Sequence, residues 1–416
     1  MNEITLLPGI RSGSVRTPSS KSQAHRLLIC AALGEKGLPV NCGEKSKDII
    51  ATKNCLAALC ANIRELFSGV YYVLPEEKQD DAILNCGESG STLRFLLPVC
   101  GALGKSAVFN MEGRLPERPL APFDELLCGH GMSIVKGGAE LRVSGKLQSG
   151  VFEIPGDVSS QFISGLLFAL PLLDGDSEIR ITGKTESKAY ITMTENVIKS
   201  AGIRFEKTDS GYIVFGKQKY SLPDGAGAEG DYSNGAFFLC MGALSDEGIL
   251  VRNLAENSLQ GDRKIVDTLC RFGADVTVRR NEVIVKKAQL RGIEIDASDI
   301  PDLVPVLAVL ACAAEGETKI FNAARLRLKE SDRLKTTAEL ITSLGGDVTE
   351  LPDGLVVRGG SLRGGRVNPY NDHRIAMSAA VAACICTEPV IVSDADCIQK
   401  SFPLFWDYFE ELERRA

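Results

Sequence analysis

Three polar strings in this chain carry groups that could hold anions and move protons. SSKSQAHR (Ser19–Arg26) sets Lys21, Ser22 and Arg26 at a predicted helix start, with Ser22 and Arg26 one helical turn apart on a common face. LKESDRLK (Leu328–Lys335) crowds Lys329, Glu330, Asp332 and Arg333 at another helix start. PYNDHRIAM (Pro369–Met377) offers Asp372 as a helix cap, with His373 and Arg374 expected to face outward. A helix start exposes unbonded backbone N–H groups and the positive end of the helix dipole, so it suits phosphate and carboxylate. Fixed cations beside carboxylates add charge neutralisation and general acid–base capacity. Each string also has a plainer reading. The first could be an N-cap with solvated charges, the second a capping box with i,i+4 ion pairs, and the third a supporting, hydrogen-bonded histidine.

The elements that must position these groups recur at intervals of roughly seventy residues. Helix entries read PSSKSQAHRLLICAAL from Pro18, ESGSTLRFLLPVCGAL from Glu88, VSSQFISGLLFALPLL from Val158, YSNGAFFLCMGAL from Tyr232, IPDLVPVLAVLACAA from Ile300 and NDHRIAMSAAVAACI from Asn371. Lys21, Ser91, Gln161, Asn234, Asp302 and His373 therefore occupy equivalent places. SSQF (Ser159–Phe162) and IPD (Ile300–Asp302) supply hydroxyl, amide and carboxylate groups there. A second landmark keeps the same period. CGHGMSIV, SAGIRFE, RFGADVTV and SLGGDVTE each pass from a helix through glycine to a strand, as a left-handed C-cap requires. After three of these, GYIVFG, NEVIVKK and DGLVVRGG read as hairpin strands. The unit is thus strand, helix, strand, helix, then strands, which makes the chain α/β. Six copies cannot share one small core, so two lobes of three are expected, with the helix starts converging on a cleft between them.

With 416 residues, 44% hydrophobic and 24% charged, the chain has room for two domains and shows no low-complexity tract. MNEITLLPGI lacks a charged leader and a cleavable apolar core, so it reads as a first strand. The longest apolar run, Leu303–Ala314, is too short to cross a bilayer. Thirteen cysteines scattered through apolar helices, without a CxxC pair, point to free thiols in a reducing cytoplasm. With only three histidines besides, a structural zinc site is not expected. A net charge of −7 argues against a nucleic-acid surface. The cations gather locally instead: Arg16, Lys21 and Arg26; Arg114 and Arg118; Lys329, Arg333 and Lys335; Arg374; Lys400. Such a distribution suits a small, highly charged anion. LGKSAV (Leu103–Val108) imitates the end of a Walker A loop, but Val99 stands where its first glycine belongs, and it follows a helix where a strand is required.

Taken in order, PSSKSQAHR, CGESGSTLRF, GRLPERP, SSQF, EGDYS, NAARLRLKESDRL, YNDHRIAM and KSFP resemble the EPSP synthase (3-phosphoshikimate 1-carboxyvinyltransferase) family over nearly the whole chain. The resemblance implies an enolpyruvyl transferase fold of six βαβαββ repeats, three per domain, with crossings near Pro18–Lys21 and Ala228–Asp231. A discontinuous domain, 1–19 plus 229–416, would take the phosphoenolpyruvate side, and 20–228 the shikimate 3-phosphate side. It implies transfer of enolpyruvyl to the 5-hydroxyl of shikimate 3-phosphate, by addition and then elimination of phosphate. Phosphoenolpyruvate ligands would be Lys21, Gly90, Arg118, Gln161, Arg333, Arg374 and Lys400. Shikimate 3-phosphate ligands would be Ser22, Arg26, Ser159, Ser160, Gln161, Ser187, Tyr190, Asp302 and Lys329. Glu330 corresponds to the proton donor to C3 and Asp302 to the base for the hydroxyl, with Lys21 a rival proton carrier. Neither a metal nor an organic cofactor is implied. The partners would be the two small-molecule substrates, with no nucleic acid or membrane, and the protein a cytoplasmic monomer that glyphosate inhibits. Mutual repulsion among the cations of an empty cleft is expected to keep the lobes apart until the first substrate binds.

Two departures stand out: Glu88 replaces the asparagine of a common form, and NAARLRL, from Asn322, is longer than in that form. Two rival readings are an enolpyruvyl transferase acting on UDP-N-acetylglucosamine and a non-catalytic anion-binding protein on the same scaffold. The first normally offers a loop cysteine near GRLPERP, whereas Cys128 falls later, inside a predicted helix.

Overall fold

A strand, a helix, a parallel strand and an antiparallel hairpin recur along the chain in a computed structural model that describes residues 2–415. The chain divides into two compact units, one formed by Ser19–Ala228 and the other by Met1–Pro18 with Glu229–Ala416.

Within Ser19–Ala228, one sheet runs in the order Ala82–Gly87, Ala107–Met111, Glu140–Gly145, Met132–Gly137. The first two strands are parallel and the last two close an antiparallel hairpin. Val151–Pro155, Ser177–Thr182, Gly211–Val214 and Phe205–Thr208 repeat that order and those directions. Parallel neighbours need a crossover, which a helix supplies, whereas a hairpin closes on a short turn. In the third sheet Leu38–Asn41, Val70–Pro75 and Ala61–Phe67 are joined by a parallel bridge from Asn41 to Gly227, at the far end of the unit.

The other unit follows the same plan. Glu294–Asp296, Glu317–Phe321, Gly354–Arg358 and Asp347–Leu351 form one sheet. Ile10–Arg16, Ile249–Arg252, Glu282–Lys286 and Asp275–Arg279 form a second, to which Glu413–Arg415 adds along Ile10–Arg16. Gly365–Val367, Val390–Val392 and Ile4–Leu6 form the third.

Strands alternate: in Val151–Pro155, Phe152 and Ile154 are buried while Val151 and Glu153 face solvent. The helices that follow the first strands are apolar nearly all round, and so they are interior. Val304–Ala311 is buried at every residue, as is Tyr232–Gly242. Gly165 lets the Ser160–Ala169 helix press on Gly90–Ala102, because a Cβ there would lie 2.4 Å from the Arg94 carbonyl. That contact holds two helix starts side by side.

The expected C-cap glycines take left-handed φ angles, 96° at Gly131, 81° at Gly202, 100° at Gly273 and 85° at Gly345. LGKSAV leaves the end of the Gly90–Ala102 helix, and Lys105 Nζ donates to the Lys78 carbonyl at 2.6 Å. Among the described residues no helix is long and apolar enough to cross a membrane.

Candidate active site

In the Ser19–Ala228 unit, Lys21 is the first residue of the Lys21–Ala32 helix, and its Nζ lies 2.7 Å from Asp48 Oδ2. Asp48 occupies the first turn of Lys47–Leu59, capped by Ser46, where the helix dipole favours its charge. Beneath the pair, His25 Nδ1 and Thr52 Oγ1 are 2.7 Å apart, and Thr52 continues to Thr92 at 2.6 Å. Thr92 donates to Ser89, the cap of the Gly90–Ala102 helix. Burial, with Lys21 and Arg26 adding to it, pushes the His25 imidazole well below its ordinary pKa.

Arg26 is buried and reaches across to the Lys188–Ser200 helix. Its Nε donates to Thr194 Oγ1 at 2.8 Å and one terminal nitrogen to the Tyr190 carbonyl at 3.0 Å, while the other bonds the Ser22 carbonyl. Desolvation brings its pKa down to about 10. Arg26 thereby ties Ser22 to the helix start that carries Ser187 and Tyr190. Ser187 is the N-cap of that helix, in a left-handed conformation at φ 49°.

A second group in this unit centres on Gly90. Ser159 caps the Ser160–Ala169 helix, and Gln161 Nε2 donates to Ser91 Oγ at 2.9 Å. Gln161 Oε1 accepts from Arg94 at 2.8 Å, and Arg94 also donates to the Pro119 carbonyl at 3.1 Å. A Cβ on Gly90 would fall 2.9 Å from terminal nitrogens of both Arg94 and Arg118, so two guanidinium groups flank this glycine. Glu88 packs on the backbone of Gly113, at the head of the loop that carries Arg118.

In the other unit the groups are organised by one guanidinium. Arg333, first residue of Arg333–Ser343, is 1% exposed, and each of its nitrogens donates to a carboxylate. Nε bonds Asp372 Oδ2 at 2.8 Å, one terminal nitrogen bonds Asp302 Oδ1 at 2.8 Å, and the other bonds Glu330 Oε2 at 2.6 Å. Burial alone would lower the Arg333 pKa, but Asp372, Glu330 and Asp302 together raise it above the ordinary value. Asp302 also receives Arg374 at 3.2 Å and lies 3.6 Å from Lys329 Nζ. Asp372 caps the His373–Ala383 helix by accepting the Arg374 N–H at 3.0 Å, and it takes the Ser331 hydroxyl at 2.9 Å. Lys400 is buried at the end of the Ala395–Lys400 turn and donates to the Asn371 carbonyl at 2.6 Å.

Several expectations need correction. His373 and Arg374 do not face outward: both are buried, because their helix is apolar all round and Arg374 turns onto Asp302. Lys21 sits on Asp48, while Lys329, Arg333 and Arg374 share Asp302. Not every cation of the strings joins a cluster either. Arg114 pairs with Glu117 and Lys335 with Glu339, both on the surface.

Sequence reasoning missed Arg94, Asp48 and Asp262. Arg94 lies one helical turn after Gly90, a spacing that could have flagged it. Asp262 is buried in the Gly261–Lys264 turn, and burial first, then the Asp302 charge, push its carboxyl well above the usual range.

The architecture is that of the enolpyruvyl transferases. An EPSP synthase from Acinetobacter baumannii superposes with a TM-score of 0.82 at 23% identity, covering 100% of both chains. The enolpyruvyl transferase NikO from Streptomyces tendae gives 0.80 at 16% identity, over 99% of this chain and 98% of that one. A sequence model of the family described as EPSP synthase (3-phosphoshikimate 1-carboxyvinyltransferase) matches residues 9–409. Proteins named 3-phosphoshikimate 1-carboxyvinyltransferase from Clostridium novyi (strain NT) and Clostridium acetobutylicum are 40% and 41% identical, each aligned over 99% of this chain and 98% and 97% of their own. The chain belongs to the EPSP synthase family.

Removing Asp372 takes away a helix cap and two bonds, at 2.8 and 3.3 Å, from a guanidinium that is almost wholly buried. Asp372→Ala is expected to lower unfolding free energy by about 3–5 kcal/mol in urea titration. A loss under about 1 kcal/mol would contradict the buried-pair account.

Proposed function

We propose that the chain transfers the enolpyruvyl group of phosphoenolpyruvate to the 5-hydroxyl of shikimate 3-phosphate and releases phosphate. The observation that carries this reading is the cluster at the start of the Arg333–Ser343 helix, where Asp302 and Glu330 rest on Arg333 beside Arg374 and Lys329. A reaction that adds and removes a proton needs carboxylates among its cations, a need that anion binding alone does not create.

Both expected ligand sets draw on both units of the chain. Lys21, Gly90, Arg118 and Gln161 would meet phosphoenolpyruvate together with Arg333, Arg374 and Lys400. Ser22, Arg26, Ser159, Ser160, Gln161, Ser187 and Tyr190 would hold shikimate 3-phosphate together with Lys329 and Asp302. Because Arg26 already bonds the Ser22 and Tyr190 carbonyls, it orders this group as well as lending charge.

The chemistry follows from exchange of partners. A substrate carboxylate or phosphate that takes guanidinium hydrogens from Arg333 and Arg374 removes from Glu330 and Asp302 the cation that favours their charged form. Asp302 then accepts the proton of the 5-hydroxyl as its oxygen bonds C2 of phosphoenolpyruvate, and Glu330 delivers a proton to C3. In the second half the bond from C2 to the phosphate oxygen breaks, C3 gives up a proton, and the double bond re-forms. Lys21, held on Asp48 at 2.7 Å, is a second candidate to carry that proton. The UDP-N-acetylglucosamine alternative is disfavoured because Cys128 lies in the Phe123–Gly129 helix, after the Gly113–Pro119 loop. We take the protein to act in the cytoplasm, without a metal or organic cofactor.

Phosphate should appear only when both substrates are present, in step with an enolpyruvyl product; silence with both would refute the reading. Glu330→Gln should lower kcat by about a hundredfold while shikimate 3-phosphate still binds, checked by calorimetry. Burial sets the Lys329 ammonium at about 8, with Asp302 opposing that fall. Because the amine is charged only below its pKa, kcat/KM for shikimate 3-phosphate should decline above about pH 8, and Lys329→Arg should hold its value to higher pH. Glyphosate should inhibit in competition with phosphoenolpyruvate, since Gly90 puts no side chain against the guanidinium groups of Arg94 and Arg118, which a Cβ there would meet at 2.9 Å; inhibition indifferent to phosphoenolpyruvate concentration would refute this.

A further inference from the structure

The segment that delivers Lys329 and Glu330 has few apolar anchors. From Asn322, with φ 57°, the chain makes a 3-10 turn over Ala324–Leu328, and Lys329 then breaks into an extended conformation. Along Asn322–Glu330 only Ala323 and Leu326 are buried apolar residues, while Leu328 is exposed. Apolar packing therefore does not fix where Lys329 and Glu330 stand.

Polar bonds hold the segment instead: Glu330 on Arg333 and Ser331 on Asp372 fix its end, and Arg327 fixes the turn before it. Arg327 Nε donates to the Pro352 carbonyl at 3.1 Å and one terminal nitrogen to the Leu351 carbonyl at 2.8 Å. The other terminal nitrogen contacts both Asp332 oxygens, at 3.2 and 3.0 Å, and Glu350 Oε1 at 2.7 Å. Asp332 is the N-cap of the Arg333–Ser343 helix and accepts the Lys335 N–H. Glu350, Leu351 and Pro352 belong to the hairpin strand Asp347–Leu351 and its turn. One planar guanidinium thus clamps the segment, the helix cap and the hairpin to one another. A lysine ammonium, a point donor, cannot span two carbonyls and two carboxylates.

We infer that Arg327 is a positioning residue, which fixes the Lys329–Glu330 segment over Arg333 and Asp302 without touching substrate. The inference rests on the proposed reaction for its catalytic consequence, though not for the clamp itself. Misplacement of a reacting group by about an ångström costs on the order of a hundredfold in rate. A partly loosened segment should therefore cost about tenfold.

Arg327→Lys and Glu350→Ala, compared with the parent chain, test this by amide hydrogen exchange and steady-state kinetics. Exchange across 328–332 should quicken by about tenfold or more, with the Val304–Ala311 helix unchanged. Arg327→Lys should lower kcat about tenfold, yet less than about twofold when made in a Glu330→Gln background, because a displaced Glu330 can be lost only once. Unaltered exchange, or an equal loss of kcat in both backgrounds, would overturn the inference. Faster exchange in the two variants, together with a parent chain that releases no phosphate, would uphold the clamp and refute the proposed reaction instead.

Discussion

A guanidinium almost wholly withdrawn from water must satisfy its nitrogens within the protein, and at Arg333 that requirement shapes its unit. Bonds to Asp302, Glu330 and Asp372 draw together the turn before Val304–Ala311, the segment before Arg333–Ser343 and the cap of His373–Ala383. Removing one partner strands a buried charge, so the three elements are held to one arrangement. The same bonds leave two carboxylates and three cations side by side. On the proposed reaction, stability and reactivity thus rest on one set of contacts.

The Ser19–Ala228 unit reaches a comparable end with weaker bonds. Its helix starts are linked through hydroxyl groups, His25 to Thr52 to Thr92 to Ser89, and through the amide of Gln161 between Ser91 and Arg94. Close approach at Gly165 makes the Gln161 contact possible, since any side chain there would meet the Arg94 carbonyl. Hydroxyl and amide groups offer both donors and acceptors, which suits a surface that must accept a phosphate or a neutral hydroxyl.

Much of this was legible because it is local. Helix starts, caps and the glycines that end helices depend on neighbours within a turn, so Asp372, Ser159 and Gly273 could be placed from spacing alone. The succession of strand, helix, strand, helix and then strands followed from periodicity, whereas the parallel pairing of the first two strands did not. Partner choice was less legible, because it depends on which faces pack. Arg374 looked solvent-directed beside Asp372, yet the helix it opens is buried at every residue and its guanidinium turns onto Asp302. Asp48 and Asp262 carry no motif of their own and gain meaning only from neighbours distant in sequence, whereas Arg94 stands inside CGESGSTLRF, one helical turn after Gly90.

The central claim is that a carboxylate released from its cation hands a proton to substrate carbon and takes one back. Running the reaction in deuterium oxide and analysing the product by mass spectrometry tests it directly. The account predicts solvent deuterium on the terminal carbon of the transferred enolpyruvyl group, because C3 becomes a methyl group before a proton leaves. Product formed at full rate with no deuterium at that carbon would contradict it.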